Sequence, residues 1–243
     1  MSSPAVLVSR DERQPRVLNL TLNRPRVLNA YDRAMRDALY EGLGLVVDDP
    51  TVSVVVLRGA GRAFSSGGDL GEFGTAPSAM RAREIRQVRD VWHRLSTLPA
   101  VTIASVHGLA AGGGLEMALL CDLPLCARDA KLGLTETALG AIPGVGGTQT
   151  LPRATGEGRA AAMLLAGQWV DGRQAARIGL AAHAVAPARL PAVTGRWARR
   201  LAGLDPAVLR VTLDALRRGR DLRLVEGLSL EKRLARTLPD QRP

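Results

Sequence analysis

The chain has 243 residues, 46% of them hydrophobic and 23% charged, and its formal net charge is +10. This size and composition predict one large globular domain with a substantial apolar core, and they exclude disordered, collagen-like and disulfide-scaffold proteins. The cations are almost all arginines spread along the chain, and aromatic residues make up only 3%, so the charge does not indicate a nucleic-acid partner.

Strands and helices alternate through the first half of the sequence. The start predicts a hairpin with strands at residues 5–9 and 17–22. A helix is predicted from about residue 34 to 48, because apolar residues recur there at helical spacing. Residues 52–57 are almost wholly apolar, as in a strand buried on both faces. The following loop, 59–74, is rich in Gly and Ser.

The second half begins in the same way and then becomes helical. A helix at about 78–96 leads to a buried strand at 101–106, a short apolar helix at 115–121 and a strand at 123–127. Beyond Gly133 there is little strand signal, and the predicted helices are 148–154, 157–166, 171–178, 190–202, 206–217 and 222–238. This order predicts an α/β core over residues 1–185 and a helical C-terminal region over 186–243.

The sequence predicts no signal peptide, membrane span or metal site. The N-terminal residues are charged, and the longest apolar stretch, 109–127, is interrupted by Glu116 and Asp122. Cys121 and Cys126 lack the spacing and the histidine neighbours of a zinc site. We therefore expect both to be buried thiols of a cytoplasmic protein.

Two glutamates lie in segments that are otherwise apolar. Glu116 lies in the short helix at 115–121, and Glu136 lies within residues 132–139. Burying an isolated carboxylate costs folding free energy, so a buried glutamate is expected to have a partner or a functional role. The two residues suit a general base and a general acid. The alternative is that each carboxylate is solvated or pairs with an arginine such as Arg128 or Arg153.

Glycines precede the helix that bears Glu116. Gly112, Gly113 and Gly114 would leave backbone N–H groups exposed at its start, and the loop 65–70 offers a second set. Two N–H donors from separate loops can together stabilise an oxyanion. The alternative is that these glycines serve only turns and close packing. No phosphate-binding loop or dinucleotide fingerprint is present.

Four motifs, in chain order, resemble those of the enoyl-CoA hydratase/isomerase, or crotonase, superfamily. They are Leu22-Asn23-Arg24-Pro25 with Asn29-Ala30, Ala63-Phe64-Ser65-Ser66-Gly67-Gly68-Asp69-Leu70, the segment from His107 to Glu116 with Cys121-Asp122, and the segment from Glu136 to Gln149 with Leu151-Pro152-Arg153. The resemblance runs from about Val17 to Thr237. It implies an α/β fold, a crotonase-type spiral of ββα units with a helical C-terminal region, assembled as homotrimers or as hexamers that are dimers of trimers.

The resemblance also implies roles for individual residues. Gly68 and Gly113 would supply the two N–H groups of an oxyanion hole, and Glu116 and Glu136 would be the catalytic carboxylates. The implied substrate-binding residues are Arg26, Ala30, Ser66, Gly68, Asp69, Leu70, Gly71 and Gly113. The residues from Gly68 to Gly71 would line the thioester end, and the loop of Arg26 and Ala30 would lie near the adenosine part of coenzyme A. No cofactor is implied, because coenzyme A is part of the substrate.

The implied reaction is the addition of water across the C2=C3 double bond of a trans-2-enoyl-CoA. Double-bond isomerisation or other acyl-CoA chemistry of the superfamily is the alternative. An RNA-binding or scaffolding protein on the same fold is an alternative from another class. The resemblance implies that residues 73–89 and the helix at 222–238 shape the acyl pocket. It also implies that the C-terminal region is shortened, with a more open pocket.

Overall fold

The computed structural model describes residues 3–72 and 89–238. The strands are β1 (Val6–Asp11), β2 (Gln14–Leu22), β3 (Val54–Gly59), β4 (Val101–Val106), β5 (Leu109–Ala111), β6 (Leu123–Ala127), β7 (Lys131–Gly133), β8 (Val170–Asp171) and β9 (His183–Val185). The helices are α1 (Arg33–Asp48), α2 (Val91–Ser96), α3 (Gly113–Leu119), α4 (Gly147–Thr155), α5 (Glu157–Leu165), α6 (Gly172–Arg177), α7 (Leu190–Ala202), α8 (Pro206–Gly219) and α9 (Leu224–Ala235).

A six-stranded sheet in the order β1-β2-β3-β4-β6-β9 forms the centre of the fold. Strands β1 and β2 are an antiparallel hairpin, and every later pairing in this sheet is parallel. All six residues of β4, including the polar Thr102 and Ser105, are buried, as expected for a parallel strand covered on both faces. Helix α7 packs against β2, β3 and β4 and covers one of those faces.

The parallel pairing of β3 with β4 determines where the loops of interest lie. Both strands end at the same edge of the sheet, so the loop after Gly59 and the segment after Val106 leave it side by side. The first of these contains residues 65–70, and the second contains the glycine triplet. The topology therefore brings together two segments that are far apart in the sequence.

A second, three-stranded sheet has the order β5-β7-β8. The sequence patterns predicted none of its strands, nor β9, and β8 and β9 lie in the part beyond Gly133 where little strand signal was found. These strands have only two or three residues, too few to show the alternation by which a strand is recognised.

Most predicted helices are present, with small shifts at their ends. Helix α7 matches its prediction to the residue, whereas α3 starts two residues earlier than predicted and includes Gly113 and Gly114. The predicted helix at 78–96 is present as α2 in its last turns, and its part before residue 89 lies outside the described residues. Residues 73–88 of the predicted acyl-pocket segment lie outside them as well. No helix in the described ranges is long and apolar enough to cross a bilayer.

Candidate active site

Glu116 lies in the first turn of α3 and is only 1% exposed. Its Oε1 accepts hydrogen bonds from the backbone N–H groups of Val145, at 2.9 Å, and Gly147, at 2.7 Å. Burial raises the pKa of this carboxyl, and the charge of Glu136 raises it further, while these backbone donors lower it. The site therefore holds a carboxyl whose affinity for a proton is above that of an exposed glutamate.

The segment that holds Glu116 is the glycine-rich turn before α4. Helix α4 starts at Gly147, so the N–H groups of its first residues have no acceptor within the helix. The N–H of Gly147 points at the carboxylate of Glu116, and negative charge is favoured at the start of a helix. A single oxygen of Glu116 is thereby fixed in place by the main chain.

Glu136 is half-buried at the start of a 3-10 helix, Glu136–Leu139. A Cβ atom placed on Gly112 would lie 2.9 Å from its Oε1, so this carboxylate stands beside the residue that precedes α3. The small sheet puts it there, because Gly112 N–H donates to the carbonyl of Gly133 at the end of β7. The Oε2 atom is buried and accepts no hydrogen bond from the residues that the structure describes.

The loop that contains Gly68 lies against the glycine triplet. The carbonyl of Ser65 accepts a hydrogen bond from Ala111 N–H at 3.0 Å, which ties the two segments together. A Cβ atom on Gly67 would lie 3.2 Å from the nitrogen of Gly113. Gly113 is the first residue of α3, so its N–H has no acceptor within the helix. The structure thus places Gly68, Gly113, Glu116 and Glu136 in one region.

Arg24 holds the Gly68 loop to the chain segment that precedes α1. Its guanidinium donates to the carbonyl of Ala30 at 2.7 Å and to Asp69 at 3.0 Å, and it lies 3.1 Å from Asp32. The hydrogen bond from Arg24, followed by that from Gly71 N–H, lowers the pKa of Asp69. Asp69 is therefore an ionised anchor for the loop.

The remaining predicted substrate-binding residues lie on the same two loops. Ser66 N–H donates to the carbonyl of Leu28 at 2.9 Å, which ties Ser66 to the Ala30 segment. Leu70 is exposed in a 3-10 turn that also contains Gly71. Arg26 is exposed on the turn Pro25–Val27, and its contact with the adenosine part of coenzyme A stays a prediction.

Sequence reasoning gave no role to two residues that organise this region. One is Arg24, which lies in a quoted motif but whose partners, Asp32 and Asp69, could not be inferred from it. The other is Tyr31, whose backbone hydrogen-bonds on both sides of Gly68. Its only signal in the sequence is its position directly after Ala30. Arg153, considered above as a partner for a glutamate, pairs instead with Asp221 at 3.2 Å.

Comparison with known proteins identifies the family to which this chain is similar. The model of the family described as enoyl-CoA hydratase/isomerase matches residues 12–242. The chain is 37% identical over 223 residues to the 2,3-dehydroadipyl-CoA hydratase of Escherichia coli (strain K12). The aligned region covers 91% of this chain and 86% of that protein.

Solved structures of similar proteins share the fold. The structure of an enoyl-CoA hydratase from Mycobacterium smegmatis matches with a TM-score of 0.91 and 31% identity, over 98% of this chain and 93% of that one. An enoyl-CoA hydratase from Bacillus anthracis matches with a TM-score of 0.90 and 33% identity, over 96% of this chain and 90% of that one. The predicted crotonase-type fold is confirmed.

Proposed function

This chain belongs to the enoyl-CoA hydratase/isomerase family, and on that premise we propose that it adds water across the C2=C3 double bond of a trans-2-enoyl-CoA. One observation carries the proposal. Glu116 lies in the first turn of α3, and the carboxylate of Glu136 stands against Gly112, the residue that precedes this helix. A hydratase needs two proton-handling groups and an oxyanion hole in one place, and the proximity of these residues supports assigning those roles to them.

The thioester oxygen would accept hydrogen bonds from the N–H groups of Gly68 and Gly113. These donors stabilise the negative charge that develops on the oxygen as the nucleophile adds. Electron density is thereby drawn away from C3, which becomes open to attack by water.

Glu116 and Glu136 would hold the attacking water between them. As the water oxygen bonds to C3, one carboxylate takes a proton from it, and the π electrons of the double bond move to the enolate. A glutamic acid then delivers a proton to C2, and the thioester carbonyl re-forms. The free Oε2 of Glu136 suits contact with water or substrate, because the described residues do not occupy it.

We propose further that the active protein is a homotrimer or a dimer of trimers in the cytoplasm. The surface of α8 and α9 supports assembly, because it exposes a group of large apolar side chains that water disfavours. These are Leu216, Leu224, Val225 and Leu228. Sedimentation or light scattering at micromolar concentration would give the mass of the particle, and a monomer would contradict the proposal. The free thiols Cys121 and Cys126 fit a reducing compartment.

The test of the reaction is to incubate the purified protein with trans-2-enoyl-CoA substrates of short and medium chain length. Loss of the conjugated thioester absorbance and identification of a 3-hydroxyacyl-CoA product would support hydration. We expect Glu116→Gln and Glu136→Gln each to reduce kcat by about 10²–10⁴-fold, the usual contribution of a general acid or base. Glu157→Gln, at an exposed position at the start of α5, is the control and should match the parent. Isomerisation of a 3-enoyl-CoA without hydration would overturn the proposal.

A further inference from the structure

The main chain of Tyr31 determines which way the N–H of Gly68 points. Tyr31 N–H donates to the carbonyl of Gly67 at 2.8 Å, and its own carbonyl accepts from Asp69 N–H at 3.0 Å. The Gly67 carbonyl and the Gly68 N–H belong to one peptide group, which is planar and trans. The C=O and N–H of a trans peptide group point in opposite directions. Because the Gly67 carbonyl is hydrogen-bonded to Tyr31 N–H, the N–H of Gly68 must point away from Tyr31. Residue 31 thus orients one of the two proposed oxyanion donors.

The side chain of the same tyrosine lies against the other donor. A Cβ atom placed on Gly113 would be 2.1 Å from the hydroxyl oxygen of Tyr31. The next nearest atoms, at 2.8 and 2.9 Å, are ring carbons of Tyr31 as well. The phenol therefore packs directly on the α-carbon of Gly113, where any other residue type would collide with it.

The ring of Tyr31 is held in this place by α2. Trp92 meets it edge to face, with 5.1 Å between the ring centroids and an angle of 64° between the planes. Tyr31 is half-buried, which limits the rotamers that it can adopt. An aromatic pair of this geometry favours one arrangement of the two rings. The phenol is thus a fixed spacer between the loop of Gly68 and the start of α3.

We propose that Tyr31 is a positioning residue that sets the direction and separation of the N–H groups of Gly68 and Gly113. The inference rests on the proposed function in that it assigns these two N–H groups to one thioester oxygen. Oxyanion donors act when each lies about 2.7–3.1 Å from the oxygen, so a shift of either donor weakens polarisation of the carbonyl. Tyr31 itself need not touch the reacting atoms.

The first test compares Tyr31→Leu and Tyr31→Phe with Tyr40→Phe. Tyr40 is the other of the two tyrosines of the chain, and it lies on α1 against the guanidinium of Arg94. We expect Tyr31→Leu to lower kcat by about tenfold, less than the 10²–10³-fold that follows loss of a donor, because both N–H groups remain. Tyr31→Phe should fall between Tyr31→Leu and the parent, KM should change little, and Tyr40→Phe should match the parent. Melting temperatures show whether each variant is folded.

The second test is a double-mutant cycle with Gly113→Ala, which keeps the N–H group at position 113. In the parent the new methyl group meets the Tyr31 phenol, so activity should fall steeply. In a Tyr31→Ala background the nearest obstacles are gone, and Gly113→Ala should have a much smaller further effect. If the two losses simply multiply, Tyr31 does not set the position of Gly113, and the inference is wrong.

A spectroscopic measurement separates this inference from the proposed function. Cinnamoyl-CoA bound to a Glu116→Gln/Glu136→Gln variant should absorb at longer wavelength than in water, because the donors polarise its conjugated carbonyl. Adding Tyr31→Leu should reduce that shift. If the parent hydrates no enoyl-CoA but the shift still depends on Tyr31, the proposed function fails and the inference stands. If the parent is a hydratase and Tyr31→Leu changes neither kcat nor the shift, the inference fails and the function stands.

Discussion

The two sides of the site are built by different means. On the glycine side, which comprises Gly67, Gly68 and Gly112–Gly114, the absence of side chains permits close approach. Gly67 and Gly114 pack on main chain, and Gly112 and Gly113 pack on the side chains of Glu136 and Tyr31. A Cβ atom on Gly114, for example, would lie 2.4 Å from the carbonyl oxygen of Ser65. On the glutamate side, which comprises Glu116, Glu136 and residues 143–147, backbone donors hold the carboxylate of Glu116, and the charge of Glu136 raises its pKa.

Because of this difference, substitutions on the glycine side should act through added volume, and substitutions on the glutamate side should act through lost charge. One extra methyl group at Gly67 or Gly114 must displace backbone, because main-chain atoms are its nearest neighbours there. An amide in place of a carboxylate on the glutamate side keeps the volume and alters only charge and proton transfer. Stability and activity should therefore change together on the first side and separately on the second.

Gly114→Ala is the substitution on which the contrast depends most. We expect the free energy of unfolding to fall by about 1–3 kcal/mol, the usual cost of overpacking. Because the displaced backbone carries Gly113, kcat should fall by about 10²–10³-fold, as for loss of one oxyanion donor. Chemical denaturation and steady-state hydration assays would measure the two effects.

The control for this variant is Gly158→Ala. Gly158 is the second residue of α5, as Gly114 is the second residue of α3, but a Cβ atom at 158 would meet nothing within 4 Å. The exposed helical position should gain about 0.5–1 kcal/mol of stability, with activity unchanged. Equal behaviour of the two alanine variants would show that close packing is not what distinguishes the glycine side.

Arg24→Met tests the polar frame of the glycine side without adding volume. The substitution leaves Asp32 and Asp69 facing each other without their shared cation. We expect a loss of about 1–2 kcal/mol in stability, less than for a fully buried pair, since solvent partly screens these charges. The loop of Gly68 should loosen, and kcat/KM should fall by about tenfold, a small part of what loss of an oxyanion donor costs.

Arg218→Met is the matched control for Arg24. Arg218 pairs with Asp214 across one turn of α8, far along the chain from either loop, and both side chains are largely exposed. Its loss should change stability by no more than about 0.5 kcal/mol and leave activity as it was. A comparable loss of activity in both variants would mean that Arg24 acts only through general stability.

The parts of the fold that the sequence predicts are the long, regular ones. Strand β4 and helix α7 each carry a sustained pattern, and both were predicted to the residue. Strands β5 and β7 carry none, because three residues cannot display a period. Yet β7 is the strand that brings Glu136 beside Gly112. The sequence therefore indicated both glutamates without giving the structural reason for their approach.

The same limit applies to the residues that frame the site. Glu116 could be singled out because burying a carboxylate in an apolar helix costs free energy unless a partner or a function compensates. Tyr31 and Arg24 occupy ordinary positions in a polar loop, and their importance comes from contacts with Gly113 and Asp69, which are distant in sequence. Composition and spacing carry no information on such contacts. The contacts form when parallel pairing of β2, β3 and β4 brings the loops that follow these strands to one edge of the sheet.

On the glutamate side, the smallest predicted effect is a change in the pKa of Glu116. Burial raises it above the ordinary value of 4.5, and the charge of Glu136 adds to the shift. Glu136→Gln removes that charge, so the pKa of Glu116 should move down toward the ordinary value. Carbon NMR of labelled glutamate side chains would follow the titration directly, with Glu157→Gln as a charge-matched control. A pKa that stays constant or rises in Glu136→Gln would show that the two carboxylates do not interact.

The raised pKa of Glu116 should also make the free energy of unfolding depend on pH. A carboxyl with a raised pKa keeps its proton in the native state after the unfolded state has lost it. The contribution of Glu116 to the free energy of unfolding therefore falls as pH rises from 4.5 through the raised pKa, and is constant above it. Glu116→Gln removes this dependence, and its denaturation midpoints should vary less with pH in that window than those of the parent. On the glycine side, Gly114→Ala should lower the midpoints by the same amount at every pH, because volume does not titrate.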